Sequence, residues 1–148
     1  MHLERYSFTT ERKHFNYEFI SEGQNGKIRK AIIFKNIDTK RDIYNLGFGD
    51  YNEETNEVDD LSVSNNQDRD RILATVAAAV IDFLEKHPTA TIIALGSTGS
   101  RTRLYRMGIT KHFENIPSIF DVEGYNGGWR PFQKGHDYEA FSIKRKNT

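Results

Sequence analysis

Three arginines, two glycines and a run of hydroxyl side chains stand together at Gly96-Ser-Thr-Gly-Ser-Arg-Thr-Arg-Leu-Tyr-Arg106, immediately after the short apolar run Ile92, Ile93, Leu95. An apolar run of that length reads as a buried strand. A Gly/Ser/Thr loop that empties into a helix start turns several free N–H groups toward one spot, and that spot attracts anions. Ser97, Thr98 and Ser100 add hydroxyl donors, and Arg101, Arg103 and Arg106 add positive charge, with 103 and 106 neighbours on a helix and 101 displaced from them. The chemistry this favours is binding of a phosphate-bearing ligand. The competing reading is a solvated or acid-paired helix face, the usual fate of a charge run on a short helix. The loop lacks the Lys-Ser/Thr of a P-loop, and its glycines do not flank one serine as in a nucleophile elbow.

Two other groups of residues could act on a ligand or partner. Asp50, Glu53, Glu54, Glu57, Asp59 and Asp60 make one hairpin acidic; paired carboxylates can hold magnesium or exchange protons, but solvation or pairing with the arginines of the short helix is the expected role. Trp129, Arg130 and Phe132 lie in a connection that mixes aromatic and basic groups, suited to a partner surface, or to folding Trp129 and Phe132 back over the core. The five histidines show no metal-ligand spacing, so no metal site is expected.

The elements that must position these residues follow from alternation and helical spacing. Residues 3–10 read as a first strand. Phe15, Tyr17 and Phe19 alternate, and residues 27–34 resume the pattern beyond Asn25-Gly26, a tight hairpin signal. Residues 43–49 and 57–63 follow as strands, the latter with a phase break near Asp59-Asp60 that predicts a β-bulge. Ile72, Val76, Ala79, Val80 and Phe83 recur at helical spacing, placing one long helix over about 66–86, ended by His87-Pro88. A short helix over about 99–107 closes at Gly108, a C′ glycine on this reading, residues 111–118 are a loop, and strands over 119–125 and 138–145 end the chain. The expected fold is α+β: one domain over 1–148, two layers, a mostly antiparallel mixed sheet of about seven or eight strands, and the order β-β-β-β-β-α-β-α-β-β.

Composition narrows the function classes. Lysine plus arginine equals aspartate plus glutamate at 21 each, so nucleic acid is not a favoured partner. The absence of cysteine removes thiol nucleophiles and disulfides and fits a reducing cytoplasm. No apolar run reaches spanning length, and the N-terminus lacks the apolar core of a signal peptide, so no membrane role is expected and the expected location is cytoplasmic.

Two resemblances rest on these residues. The phrases Tyr-Asn-Leu-Gly-Phe-Gly-Asp-Tyr (44–51), Asp-Asp-Leu-Ser-Val-Ser-Asn-Asn (59–66) and residues 96–109 resemble a domain-of-unknown-function family of small bacterial proteins, common in Bacteroidetes, which implies no particular activity. Residues 57–145 more distantly resemble the later part of a GNAT-type N-acetyltransferase, in element order and in Arg103-Leu-Tyr-Arg-Met-Gly-Ile109. That likeness implies Tyr105 as the acid for a departing coenzyme A thiolate and Asp59 or Asp60 near the general base. The chain departs from it where the pyrophosphate loop belongs: Asn66-Gln-Asp-Arg-Asp-Arg71 has no glycine and carries two carboxylates. Acetyl-coenzyme A is therefore not the expected cofactor. The functional expectation is a phosphate-bearing ligand at 96–106, with the enzymatic status open; the alternative is a protein-interaction module, such as one component of a bacterial toxin–antitoxin or defence pair.

Overall fold

The computed structural model describes residues 5–52, 54–55, 57–59, 68–96, 99–112 and 116–146, with the backbone alone for 57–59, 100 and 101. In chain order the elements are β1 (Thr9–Thr10), β2 (Asn16–Gly23), β3 (Gly26–Asp38), β4 (Ile43–Asn52), β5 (Glu57–Asp59), α1 (Arg69–Lys86), β6 (Thr91–Ala94), α2 (Gly99–His112), β7 (Phe120–Tyr125), β8 (Trp129–Pro131) and β9 (Ala140–Arg145). The nine strands of the described residues form one mixed sheet in the order β1-β2-β3-β4-β6-β9-β7-β8, with β5 branching from β4. Every pairing is antiparallel except β4 with β6, the crossover that α1 spans. The fold is α+β, with both helices packed against the same side of the sheet.

Side-chain alternation decides which side that is. Ile32 and Phe34 on β3 lie opposite Tyr17 on β2 and opposite Phe48 and Leu46 on β4, all buried. Tyr44, Ile92 and Ile143 continue this surface across β4, β6 and β9. The other parity carries small groups at the centre: Ala31 faces Gly49, and Ile33 faces Gly47. α1 meets the apolar side with Val76, Ala79, Val80 and Phe83. Phe83 has no exposure, stacks on Phe34 at 4.2 Å and meets Tyr44 edge-on at 5.1 Å. Fully burying a side chain of this size contributes about 1.5–3 kcal/mol.

The buried polar groups on this side find partners from distant parts of the chain. Tyr6 donates its backbone N–H to Thr75 Oγ1 at 2.9 Å, and its hydroxyl donates to the Asp68 carboxylate, which also accepts from Ser21 Oγ at 2.6 Å. The Arg71 guanidinium lies 4.0 Å from the centre of the Tyr6 ring. Asp68 therefore ends α1 without capping it through its side chain; its carboxylate ties the N-terminal segment and β2 to the helix. At the other end of α1, Asp82 accepts from the Tyr17 hydroxyl at 2.5 Å and lies 2.8 Å from His14 Nδ1. Burial by itself raises the Asp82 pKa, but the hydrogen bonds from Tyr17 and His14 outweigh it and leave the carboxyl below its ordinary value. Burial and the Asp82 carboxylate push the Tyr17 hydroxyl up.

Several expectations need correcting. Of the expected strand over 3–10, residues 3 and 4 lie outside the described residues, and among residues 5–10 only Thr9–Thr10 is strand, because Tyr6 is drawn off the sheet line toward α1. The tight turn is Gln24-Asn25, with positive φ (86°) falling on Gly26 instead of on the Asn25-Gly26 pair. The short helix does not stop at Gly108 but runs to His112, shortening the expected loop. An extra strand, β8, lies in the connection between β7 and β9. Asp59 ends β5 opposite Asp50, and Asp60, on which the expected bulge depends, lies outside the described residues.

Two stability experiments follow. Asp82→Ala leaves the buried Tyr17 hydroxyl without its acceptor and is expected to cost about 1–3 kcal/mol in urea unfolding at neutral pH. Because the folded pKa of Asp82 is lowered from 3.8, its contribution is present above that value and lost as pH falls through the folded one. The gap between wild type and variant should therefore close on acidification, and a gap that holds or widens in acid contradicts this account. Gly124→Ala is expected to cost about 1–3 kcal/mol by overpacking: a Cβ there would lie 2.4 Å from the Tyr138 ring. Tyr138 is held between Phe132 and Phe141, with ring centres 5.5 and 5.9 Å away, so it cannot yield freely. An unchanged melting temperature would show that it does.

Candidate functional site

β6 ends at Ala94, and the chain passes Leu95 and Gly96 before α2 begins at Gly99. A ligand in an open sheet with parallel strands sits beyond the carboxyl ends of those strands, and α2 starts there with no acidic residue in its first turn. Thr102 Oγ1 donates to the Gly96 carbonyl at 3.5 Å. Residues 102, 103 and 106 then lie along one side of α2, as three- and four-residue spacing requires. They form one wall of a cleft of about 670 Å³ whose other wall is Asp137, Tyr138 and Glu139, just before β9. That volume falls within the range of small-molecule sites, roughly 300–1,000 Å³.

The electrostatics of the cleft are mixed. Arg103 is exposed, whereas Arg106 is ion-paired with Asp137. The Asp137 side chain is 91% exposed, and a pair open to water is worth little, about 0–1 kcal/mol, so an arriving anion can compete for this arginine. The Tyr138 hydroxyl accepts from the backbone N–H of Gln133 at 3.0 Å, and the ring rests over Gly124, which fixes the far wall.

The structure thus brings Arg103 and Arg106 together at the start of α2. Ser97, Thr98 and Asp60 lie outside the described residues, and Ser100 and Arg101 are placed by backbone only, in the first turn of α2. Tyr105 is not in the cleft. It is buried on the opposite side of the helix, where it lines an apolar void with Ile109 and His112. Asp137 and Glu139 carried no sequence signal, since nothing in Gly135-His-Asp-Tyr-Glu139 marks it as the partner of a helix some thirty residues earlier. Of the acidic hairpin's described side chains, Asp50 pairs with the nearly buried Lys30 and Glu54 is exposed, while Arg106 pairs with Asp137; the side chains of Glu53, Glu57, Asp59 and Asp60 lie outside the described residues.

The aromatic connection is divided. Phe132 is buried in the core, its ring centre 6.1 Å from that of Phe141. Trp129 remains 43% exposed, edge-on to Tyr125 at 5.3 Å, and Arg130 is exposed beside it. Folding back over the core therefore describes Phe132 and not Trp129. Among the described residues no cluster of three or more His, Asp or Glu side chains could hold a metal ion. Among the same residues, no helix is long and apolar enough to cross a membrane.

No curated protein and no solved structure matches the sequence. Residues 2–146, nearly the whole chain with its β6–α2 cleft, match the family of unknown function DUF6934, and the chain belongs to that family.

Proposed function

We propose that the chain binds a small phosphate-bearing molecule in the cleft between the start of α2 and residues 137–139. The observation that carries this reading is the convergence of Thr102, Arg103 and Arg106 with the amino end of α2 on one cleft of ligand size. Free N–H groups at a helix start, a hydroxyl and guanidinium groups are the donors a phosphate takes. The carboxylates of Asp137 and Glu139 on the facing wall favour a ligand that also carries a hydroxyl or amino group, which they would accept from.

Acetyl transfer is not part of this proposal. The start of α1, where an acetyltransferase holds the cofactor pyrophosphate, presents Asp70 in its first turn beside Asp68. Asp68 is bound to Tyr6 and Ser21, and Asp70 is paired with Lys111 at 2.7 Å. Tyr105, the residue that likeness implies as acid, faces the apolar void.

A second reading, an interaction module, is supported by the exposure of Leu95 (55%) and Trp129 (43%). A tagged chain expressed in its native host would then retain a stoichiometric protein partner that Trp129→Glu releases; a lone monomer from that host counts against it.

The ligand proposal is tested by thermal shift with inorganic phosphate, sugar phosphates, nucleotides and coenzyme A. A ligand at a hundred times its dissociation constant stabilises by about 2.7 kcal/mol, roughly 5–11 °C for a domain of this size. The shift is expected to weaken with added salt, to be lost in Arg103→Glu, and to grow in Asp137→Ala, where Arg106 is released. No shift with any of the compounds, or the same shift in Arg103→Glu, would overturn the proposal.

A further inference from the structure

The inner side of α2 carries a second feature that is independent of the cleft. Tyr105, Gly108, Ile109 and His112 recur at three- and four-residue spacing and turn toward α1 and the sheet. Gly108 allows a close helix approach, since a Cβ there would lie 3.0 Å from Leu73 Cδ2. Beside that contact the packing leaves a void of about 70 Å³, walled almost wholly by apolar groups that include Leu73, Val80 and Phe120. The exception is His112. It is 4% exposed, and its Nε2 is buried without a hydrogen-bond partner among the described residues. A buried polar atom left unpaired costs about 1–3 kcal/mol, so an apolar wall that keeps one is matched to something that supplies the missing bond.

We propose that this void is a binding site for the short alkyl end of an uncharged molecule bearing a hydroxyl group, with the hydroxyl hydrogen-bonded to His112 Nε2. Size sets the alkyl part: an apolar cavity of about 150 Å³ holds benzene, so one of about half that volume takes only a short alkyl chain of a few carbons. The imidazole sets the polar part. Burial, then Lys111, hold the His112 pKa below its ordinary value against the opposing pull of Asp70, so the ring is neutral at neutral pH. In a neutral ring Nε2 either donates or accepts according to the tautomer, and a hydroxyl satisfies both cases. A carboxylate or ammonium group would be buried with no opposite charge against it and is excluded by its desolvation cost.

The test uses isotope-labelled whole protein titrated with 1-butanol, butyrate and butane, following the backbone amides of Val80, Gly108, Ile109 and Phe120 and the ring nitrogens of His112 by NMR. Saturable shifts with butanol, a displaced His112 Nε2 resonance and no saturable response to butyrate are expected. Ala77→Leu, which fills the void from α1, should abolish the butanol shifts while keeping a folded spectrum. His112→Leu should remove the preference for butanol over butane, and it serves as the decisive variant if Ala77→Leu does not fold. The proposal is overturned by the absence of saturable shifts with butanol, by butyrate binding as well as butanol, or by a hydroxyl preference that survives in His112→Leu. An Arg103→Glu protein should bind butanol unchanged, so failure here and failure of the phosphate site are separable.

Discussion

The structure depends on the seating of Phe83 against the sheet. Its ring lies between the Phe34 and Tyr44 side chains of β3 and β4 and the His87 ring at the end of α1, 4.7 Å away. Ala79 and Val80 come down beside it, and the small alanine lets α1 approach closely enough for the aromatic contacts to form. Only with α1 in this position can β6 return parallel to β4, because the crossover must travel the length of the helix and re-enter at Thr91 beside Ile43. β6 in turn sets where α2 begins, so the cleft inherits its place from an aromatic contact well away from it.

α2 serves two environments because of its periodicity. Residues 102, 103 and 106 face the cleft, whereas residues 105, 108, 109 and 112 face α1 and the sheet. Its inner side joins the apolar core through Tyr105 and Ile109, and its polar ties are Arg106 to Asp137, Lys111 to Asp70, and Thr102 to the Gly96 carbonyl. Partially exposed ties of this kind are individually worth little.

Four polar groups inside the two-layer packing follow one rule. Tyr6, Tyr17, Ser21 and Thr75 each meet a partner far away in sequence, and the partners are carried largely by α1. Desolvation makes an unpaired group expensive, so these contacts specify how the N-terminal segment and β2 sit on the helix. His112 departs from this rule, which is why it stands out in a wall otherwise made of carbon.

The sequence by itself determined the elements whose signal is local. Alternation placed β2, β3 and β4, helical spacing placed α1, which runs Arg69–Lys86 with Asp68 at its N-cap, and the apolar run with its glycine loop placed β6 and the start of α2. The α+β class followed from that order, and so did the presence of Arg103 and Arg106 beside one another, since helical spacing fixes it. Tertiary structure decided the rest, for reasons that no window of sequence contains. Gly108 reads as a helix stop, yet it lies within α2 where the helix passes close to Leu73. β8 has three residues, too few for alternation to show, and exists because β7 offers an edge. Asp137 became the partner of Arg106, and His112 became buried, only when strands and helices distant in the chain were brought together by the burial of their apolar sides.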